Sequence, residues 1–260
     1  MSDTTQAQSE RGMPATFHRN AAPQMLRASQ NARATFKHFW KEVALDFSRP
    51  VPALSLAAVK VAFSDNFADS DAPVEHMWVE KIDFDGVAMT GVLMNAPNEL
   101  MSVAAGDTVT FPIAQLGDWI GVIKEKVYGG YTVQLTRAGM DTAERARYDA
   151  AWGLSFPPPA TVHVPDGTSP FETVIANEMR KQIPANPSLL AEKFDGGRTL
   201  LHLEALYGRT ISVRALLALG ADRTLRCARN WTPLDYARAL NWPEIIQQQI
   251  TPASKPTHQA

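Results

Sequence analysis

The apolar residues of the chain recur with two kinds of spacing. From residue 31 to residue 47, side chains such as Phe36, Trp40 and Val43 return every three or four positions, which predicts a helix with one aromatic stripe. From residue 54 to residue 136, short β-branched and aromatic runs are broken by Gly, Asp and Pro, as in a small antiparallel sheet. The candidate strands cover residues 57–63, 77–84, 87–94, 108–112, 119–126 and 131–135.

The stripe on the first helix is expected to pack on this sheet, and a groove for a partner helix or an acyl chain is the less favoured alternative. Two short Gly-containing segments predict turns inside the sheet. Asp85-Gly86 favours a two-residue hairpin of type I′, and Gly129-Gly130 favours a similar turn before the last strand. A second helix is predicted from Asp141 to about residue 152, with Glu144 completing a capping box.

A proline-rich stretch separates this region from the rest of the chain. Residues 155–170 contain five prolines, which predicts an extended, semi-rigid linker at a domain boundary. Helical spacing resumes directly afterwards, with Ser169 as the N-cap, Pro170 in the first turn and Glu172 closing a capping box.

The C-terminal part repeats itself. Residues 197–202 align with residues 230–235 at a separation of 33 residues, a period typical of stacked helical hairpins. At these positions the stretch resembles the ankyrin repeat. The resemblance rests on Thr199-x-Leu201-His202, Ala205, Gly208 and Gly220-Ala221-Asp222 in one copy, and on Thr232-Pro233-Leu234, Ala237 and Glu244-Ile245-Ile246 in the next.

The resemblance implies capping helices over residues 170–194 and repeats over residues 195–227 and 228–250. It also implies that His202 is a structural hydrogen-bonding residue. Three positions depart from the ankyrin pattern: Glu204 replaces a small residue, and Asn230 and Asn241 replace glycines. Both asparagines can adopt the left-handed conformation, so the turns are expected to persist.

The region from residue 25 to residue 156 contains a set of short motifs: Phe39-Trp40, Val59-Lys60-Val61, Glu75-His76-Met77-Trp78-Val79, Gly91-x-Leu93-x-Asn95-x-Pro97, Gly106-Asp107, Asp118-Trp119 and Gly129-Gly130-Tyr131. At these motifs it resembles the YegJ-like family, a bacterial domain of unknown function, and the resemblance implies no activity. From the spacing of the apolar residues and the C-terminal repeat, the fold class is predicted to be α+β: a small antiparallel sheet domain with flanking helices, joined to an all-α ankyrin-like repeat domain.

Composition and charge narrow the class of protein. The chain has 260 residues, 45% of them hydrophobic, and a net charge of −2, which gives no general reason to expect a nucleic acid or an anionic membrane as partner. Residues 1–24 lack the apolar core of a secretory signal and are predicted to be a disordered leader. Residues 251–260 are predicted to be a disordered tail. The single cysteine, Cys227, is compatible with the cytoplasm, and no cofactor or metal site is predicted.

Four residues of the sheet domain form the nearest approach to an acid/base cluster: Glu75, His76, Glu80 and Asp118. They are weak catalytic candidates, because no second motif supports a reaction. On a strand His76 and Glu80 lie on the same face, so a structural hydrogen bond between a histidine and a carboxylate is the favoured interpretation.

Partner binding is predicted on the ankyrin-like part. In ankyrin repeats the turn tips and first helices form the concave binding surface. The resemblance therefore implies that the partner-binding residues of this chain are Arg198, Leu206, Tyr207, Arg226, Arg229, Trp231 and Leu240. Tyr, Trp and Arg dominate interface energies. The alternative is that Trp231 packs on the neighbouring finger and Tyr207 lies under the cap. Residues 223–229 carry three arginines and no carboxylate, which favours an acidic partner surface.

The predicted function is a non-enzymatic protein–protein interaction protein of the bacterial cytosol, and a toxin-neutralising immunity protein is one such role. The alternative is an enzyme or a small-ligand-binding sheet domain that the repeats bring to a target. The oligomeric state is left open.

Overall fold

The computed structural model describes residues 22–69, 71–167 and 169–250, and these divide into two compact units. The first unit contains the described residues up to Asp46 and Pro50–Asp166. The second contains Phe47–Arg49 and the described residues from Gly167 onward. Residues 1–21 of the predicted leader and the whole predicted tail, residues 251–260, lie outside the described residues.

The first unit is an α+β fold. Helix α1 covers Ala22–Asp46, the six strands follow, and helices α2 (Tyr131–Ala138) and α3 (Thr142–Trp152) come last. The strands pair antiparallel in the order β4-β3-β2-β1-β5-β6. They are β1 (Leu54–Phe63), β2 (Glu75–Phe84), β3 (Ala88–Leu93), β4 (Thr108–Pro112), β5 (Leu116–Ile123) and β6 (Lys126–Gly129).

Helix α1 begins nine residues earlier than the apolar stripe predicts, so residues 22–24 belong to it and not to a leader. Residues 24–30 are mostly good helix formers, and Pro23 lies in the first turn, where its missing N–H costs nothing. The stripe packs on the sheet as predicted. Phe39 stacks on Trp119 with ring centroids 5.3 Å apart, and Phe36 meets the edge of Phe84 at 5.4 Å.

The opposite face of the sheet holds a second core. Trp78 and Ile120 of the sheet are buried there together with Val133 of α2 and Trp152 of α3. The indole rings of Trp78 and Trp152 meet edge to face at 5.5 Å. Helix α3 begins with the predicted capping box, since the Asp141 carboxylate accepts from the backbone of Glu144 and the Glu144 side chain accepts from that of Asp141.

The predicted strand over residues 131–135 is wrong, because these residues form helix α2. Gly129 and Gly130 both adopt positive φ, 71° and 70°, and turn the chain out of the sheet rather than into a hairpin. The hairpin between β5 and β6 lies earlier, at Lys124 and Glu125. Their φ angles are positive, 49° and 67°, which is uncommon for residues other than glycine.

The hairpin at Asp85-Gly86 is present, although not as the predicted two-residue turn. Only Gly86 of the pair has a positive φ, 99°. Asp85 acts through its carboxylate, which accepts the N–H groups of Val87 at 2.8 Å and Ala88 at 2.9 Å. A side-chain acceptor therefore replaces the second left-handed residue that a type I′ turn requires.

The second unit is all helical. Helix α4 covers Pro170–Ala185 and a 3₁₀ turn covers Pro187–Leu190. Two helical hairpins follow, α5 (Leu200–Leu206) with α6 (Thr210–Ala218), then α7 (Pro233–Ala239) with α8 (Pro243–Ile250). Helix α4 packs on α6, α5 on α7 and α6 on α8, so the helices stack in two rows. Asn230 and Asn241 have positive φ, 64° and 52°, as their glycine positions require.

The start of α4 agrees with prediction only in part. The Ser169 hydroxyl accepts the N–H of Phe171 at 3.3 Å, so the predicted N-cap is present. The predicted capping box with Glu172 is wrong. The Glu172 side chain is buried and accepts the N–H of Ile211 at 2.6 Å, which ties α4 to the start of α6.

Part of the predicted linker is bonded to the sheet unit. The carbonyl of Pro157 accepts Nη1 of Arg137 at 2.8 Å, and the carbonyl of His163 accepts the N–H of Gly129 at 2.9 Å. The linker is therefore anchored as far as residue 163. Each helix in the described part of the chain is too short or too polar to span a lipid bilayer.

Candidate functional site

Asp118 is a structural residue in the sheet unit. Its buried carboxylate accepts the N–H groups of Tyr131 at 3.0 Å and Thr132 at 2.7 Å, and the Thr132 hydroxyl at 2.7 Å. It therefore caps helix α2 from strand β5, because the N-cap Gly130 has no side chain to do so. Burial raises the pKa of Asp118, and the hydrogen bonds from Thr132 offset part of that rise.

Gly129 belongs to the same arrangement. A Cβ atom on Gly129 would overlap the carbonyl oxygen and ring of Trp119, and its φ of 71° is left-handed. The motifs Asp118-Trp119 and Gly129-Gly130-Tyr131 are thus explained by the junction between β5, β6 and α2. They need no bound ligand to account for them.

Glu75 is committed to a different element. Its carboxylate accepts the backbone N–H groups of Asn98, Glu99 and Leu100, at 2.7–3.2 Å. Burial alone would raise the pKa of Glu75, but these hydrogen bonds outweigh it and hold the pKa below its ordinary value. Glu75 therefore fixes the loop at residues 98–100 while Asp118 caps helix α2, and the two carboxylates do not form a dyad.

His76 is poorly suited to act as a base. Burial, with a smaller contribution from the Lys60 cation, lowers the pKa of His76 to about 4, so the ring is neutral at pH 7. Lys60 is a neighbour of His76 and Asp118 that the sequence analysis did not include in this cluster. It pairs in register with Trp78 on one side and Asp118 on the other. Glu80 lies towards solvent, 4.0 Å from the Lys81 ammonium.

The first helical hairpin is fixed by His202. Its Nδ1 lies 3.1 Å from the N–H of Thr199 and 2.8 Å from the Thr199 hydroxyl, and its Nε2 lies 3.0 Å from the carbonyl of Trp231. The histidine thus joins two successive fingers, which is the structural role that the resemblance implied. Because both nitrogens are engaged, His202 has no ring nitrogen left to hold a metal ion.

The predicted partner-binding residues divide into two groups. Leu206 is fully buried and Leu240 is 7% exposed. The prediction is therefore corrected at these two positions, which are core residues and do not offer a surface to a partner. The other five, Arg198, Tyr207, Arg226, Arg229 and Trp231, are at least partly exposed.

The exposed group includes a stacked pair. The Arg229 guanidinium lies 5.4 Å from the ring centroid of Trp231, and that ring meets the edge of Tyr236 at 5.1 Å. Trp231 thus packs on its own repeat and remains partly exposed beneath an arginine. An aromatic ring held in place under a cation offers a partner both apolar area and charge.

Arg226 of the second finger and Arg198 of the first finger are both held by backbone carbonyls. Nη1 of Arg226 donates to the carbonyl of Asn230 at 2.7 Å, and Nε of Arg198 donates to the carbonyl of Asp195 at 2.8 Å. Lys193 brings a further cation, since its ammonium lies 3.3 Å from the carbonyl of Arg226. Carbonyl partners fix these side chains without neutralising their charge.

One carboxylate missed in the sequence lies close to this surface. Asp235 accepts the N–H and hydroxyl of Thr232 at 2.7 Å. Burial alone would raise the pKa of Asp235, but the bonds from Thr232 and the charges of Arg226 and Arg238 keep it low. Asp235 therefore offsets part of the positive charge, and the surface is less basic than residues 223–229 alone suggest.

A buried ion pair lies inside the first hairpin. Nη1 of Arg209 is 3.1 Å from Oε1 of Glu204, and each side chain is 4% exposed. A second guanidinium nitrogen of Arg209 donates to the hydroxyl of Ser48 at 3.0 Å, and the same group lies 4.8 Å from the ring centroid of Tyr207. Burial raises the pKa of Glu204, which the Arg209 charge only partly offsets. The sequence signal for this ion pair was Glu204, which stands where the ankyrin pattern has a small residue.

No group of three or more His, Cys, Asp or Glu side chains suited to a metal ion occurs within the described part of the chain. Cys227 is a free, buried thiol.

Comparison with known proteins confirms both resemblances seen in the sequence, the one to the YegJ-like family and the one to ankyrin repeats. Residues 22–156 match the family described as an uncharacterized protein conserved in bacteria, DUF2314, and residues 189–237 match ankyrin repeats. A protein named as an ankyrin repeat protein in Neisseria meningitidis serogroup B is 36% identical over 228 residues, covering 84% of this chain and 90% of the relative. The uncharacterized protein YegJ of Escherichia coli K12 is 28% identical over 76 residues, covering 29% of this chain and 46% of the relative.

Proposed function

Because the chain belongs to the bacterial DUF2314 family and carries ankyrin repeats after that domain, we propose that it binds an acidic surface of a partner protein through Arg198, Tyr207, Arg226, Arg229 and Trp231. Ankyrin repeats make protein–protein interaction the class of function. The observation that carries the finer proposal is the stacked Arg229–Trp231 pair, flanked by arginines whose charges are fixed by carbonyls rather than neutralised.

The residue types support this surface. Arginine and tryptophan supply most of the energy at interface centres, and a side chain already held in place loses little entropy on binding. Residues 192–198, 226–229 and 235–238 together carry five cations and three carboxylates, an excess that favours an acidic partner, since complementary charge speeds association. The cations are Lys193, Arg198, Arg226, Arg229 and Arg238, and the carboxylates are Glu192, Asp195 and Asp235.

We propose no catalytic role. Glu75 and Asp118 use their carboxylates to fix separate elements, and His76 is neutral and weakly basic. This arrangement does not favour the alternative of an active site on the sheet. The sheet unit is proposed to support the repeats, without acting on a substrate.

Affinity capture tests the proposal. The tagged full chain and the variant Arg226→Glu/Arg229→Glu are expressed at equal levels in the native cell, and the captured proteins are quantified by mass spectrometry. The matched control is Arg214→Glu, which reverses an exposed arginine on the outer helix α6. The expected result is an acidic protein captured by the native chain and the control, and depleted several-fold with the double variant. Equal capture by all three would contradict the proposed surface.

A role as a toxin-neutralising immunity protein in the cytoplasm is a narrower form of the same proposal. It rests only on the combination of an uncharacterized bacterial domain with ankyrin repeats, and the single buried cysteine agrees with a reducing compartment. If this role is correct, co-expression of the chain should restore growth to cells that express a toxin encoded beside its gene. The double variant should not restore growth, and restoration by both chains would contradict neutralisation through this face.

A further inference from the structure

Among the described residues, helix α4 occupies the position of an outer helix without an inner α-helix before it; the 3₁₀ turn that follows it packs on both α4 and α5. In each hairpin that follows, an inner helix (α5, α7) precedes an outer helix (α6, α8). Helix α4 packs on α6, so it belongs to the outer row. The described residues between Gly153 and Ser169, which precede α4, form no helix, and the ankyrin match begins only at residue 189. The first repeat of the stack is therefore half a repeat.

An apolar groove lies along α4 on the side not used for α6. It has a volume of about 360 Å³, and its apolar lining includes Val174, Ile175, Met179 and Ile183 of α4, Leu189 of the 3₁₀ turn and Phe194. The face of α4 towards α6 buries Glu172 and Ala176 instead. Two of the groove residues are well exposed, Val174 at 50% and Phe194 at 39%.

We propose that this groove binds a short amphipathic helix of a partner protein, in the place of the missing inner helix. The argument is continuity with the inner row: α5 packs on α7, and a helix in the groove would extend the same row by one position. The inner helices of this chain show the element that such a position accepts. Each has seven residues, about two turns.

Size and charge agree with this occupant. A cavity of about 150 Å³ takes one benzene-sized group, so the groove has room for about two large apolar side chains. Glu178, the charged residue of the lining, is paired with Lys181 at 2.7 Å. The groove therefore favours an uncharged helix face with aliphatic or aromatic residues at positions i, i+3 or i+4, and i+7. None of the five proposed concave-face residues lines it, so the two surfaces can be tested separately.

The probe is a helix-stapled, fluorescent peptide with the sequence of residues 197–208, which contains this chain's own inner helix α5. Its binding to the full chain is measured by fluorescence anisotropy. The expected result is saturable binding that Val174→Glu weakens by about tenfold or more, because a carboxylate in an apolar groove loses its hydration. Phe194→Ser should also weaken binding. The matched control is Thr173→Glu, an adjacent exposed position outside the groove, which should change affinity less than about twofold.

Four outcomes would overturn the proposal. The first two are the absence of saturable binding, and a Thr173→Glu chain that binds the peptide as weakly as the Val174→Glu chain does. The third is a peptide with serine in place of its leucines that binds as tightly as the original peptide, and the fourth is a chain starting at Ala22 that binds the peptide at least about tenfold more tightly than the full chain. The last would mean that residues 1–21 of the same chain compete for the groove. Melting curves of each variant check that it is folded; since Val174 is half-exposed, its substitution should leave the fold intact.

Discussion

Arg229 and Trp231 show how one pair of side chains can serve both fold and function. The ring of Trp231 packs on Tyr236 and supports the finger, whereas the Arg229 guanidinium lies over that ring and is exposed. Binding and stability should therefore separate at Arg229 and overlap at Trp231.

Alanine substitution tests this separation. Arg229→Ala should weaken partner binding by about 1–2 kcal/mol with almost no change in melting temperature, because its side chain is exposed. Trp231→Ala should weaken binding by about 2 kcal/mol or more and also lower the melting temperature. Calorimetric titration and thermal melts of both variants give the comparison. An Arg229→Ala chain that melts as early as Trp231→Ala would mean that the arginine is a packing residue.

The buried Glu204–Arg209 pair makes a prediction about pH. Since burial raises the pKa of Glu204 above its ordinary 4.5, the folded chain holds this proton at pH values where the unfolded chain has lost it. The contribution of Glu204 to stability therefore falls as pH rises from 4.5 through the folded pKa. The melting temperature of the native chain minus that of Glu204→Gln should decrease from about pH 5 to about pH 8. A constant or increasing difference would contradict a raised pKa.

Helix α2 shows how an element can escape sequence analysis. Residues 131–135 have a strand-like composition, and Gly129-Gly130 resembles a hairpin turn. The helix forms because Asp118, which lies thirteen residues before the first helical residue Tyr131, caps it from strand β5. Long-range capping has no local sequence signal. Capping by Asp141 is local, so helix α3 was predictable to within one residue.

Two glycines around α2 provide a matched test. Gly129→Ala should lower the free energy of unfolding by more than about 2 kcal/mol, because it combines a left-handed φ with overlap against Trp119. Gly139→Ala should change it by less than about 1 kcal/mol, since φ is −84° and the nearest atom, the Thr136 carbonyl oxygen, is 3.6 Å away. Urea unfolding measures both. Similar losses would show that the Gly129 turn is not a tight junction.

At the scale of the whole molecule, the sequence predicted the α+β sheet with flanking helices and the repeat helices, because apolar spacing and repeat period are local signals. The site was predictable only in part. Leu206 and Leu240 were placed on the surface because an alignment gives a position in the repeat but not its burial. Arg209 was missed because its role depends on Glu204 and Ser48, which come together only in the fold.

The anchored linker changes where the sheet unit can be cut. A fragment that ends at Asp166 keeps the bonds from Pro157 and His163, whereas one that ends at Phe156 loses both. The shorter fragment should be less stable by about 2 kcal/mol, or roughly 5 °C in melting temperature. Differential scanning calorimetry of the two fragments decides this, and equal melting temperatures would mean that the linker contributes nothing to the unit.

The central claim is that the arginine-bearing face of the repeats receives an acidic partner. The most direct measurement is the association rate of the captured partner at low and moderate ionic strength, for the native chain, Arg226→Glu/Arg229→Glu and the control Arg214→Glu. Added salt should slow association, because the Debye length falls to about 10 Å at 0.1 M. The double variant should bind several-fold more slowly with a weaker salt dependence, while the control and Glu75→Ala should behave as the native chain. A rate that is independent of salt and unchanged by the double reversal would contradict the account.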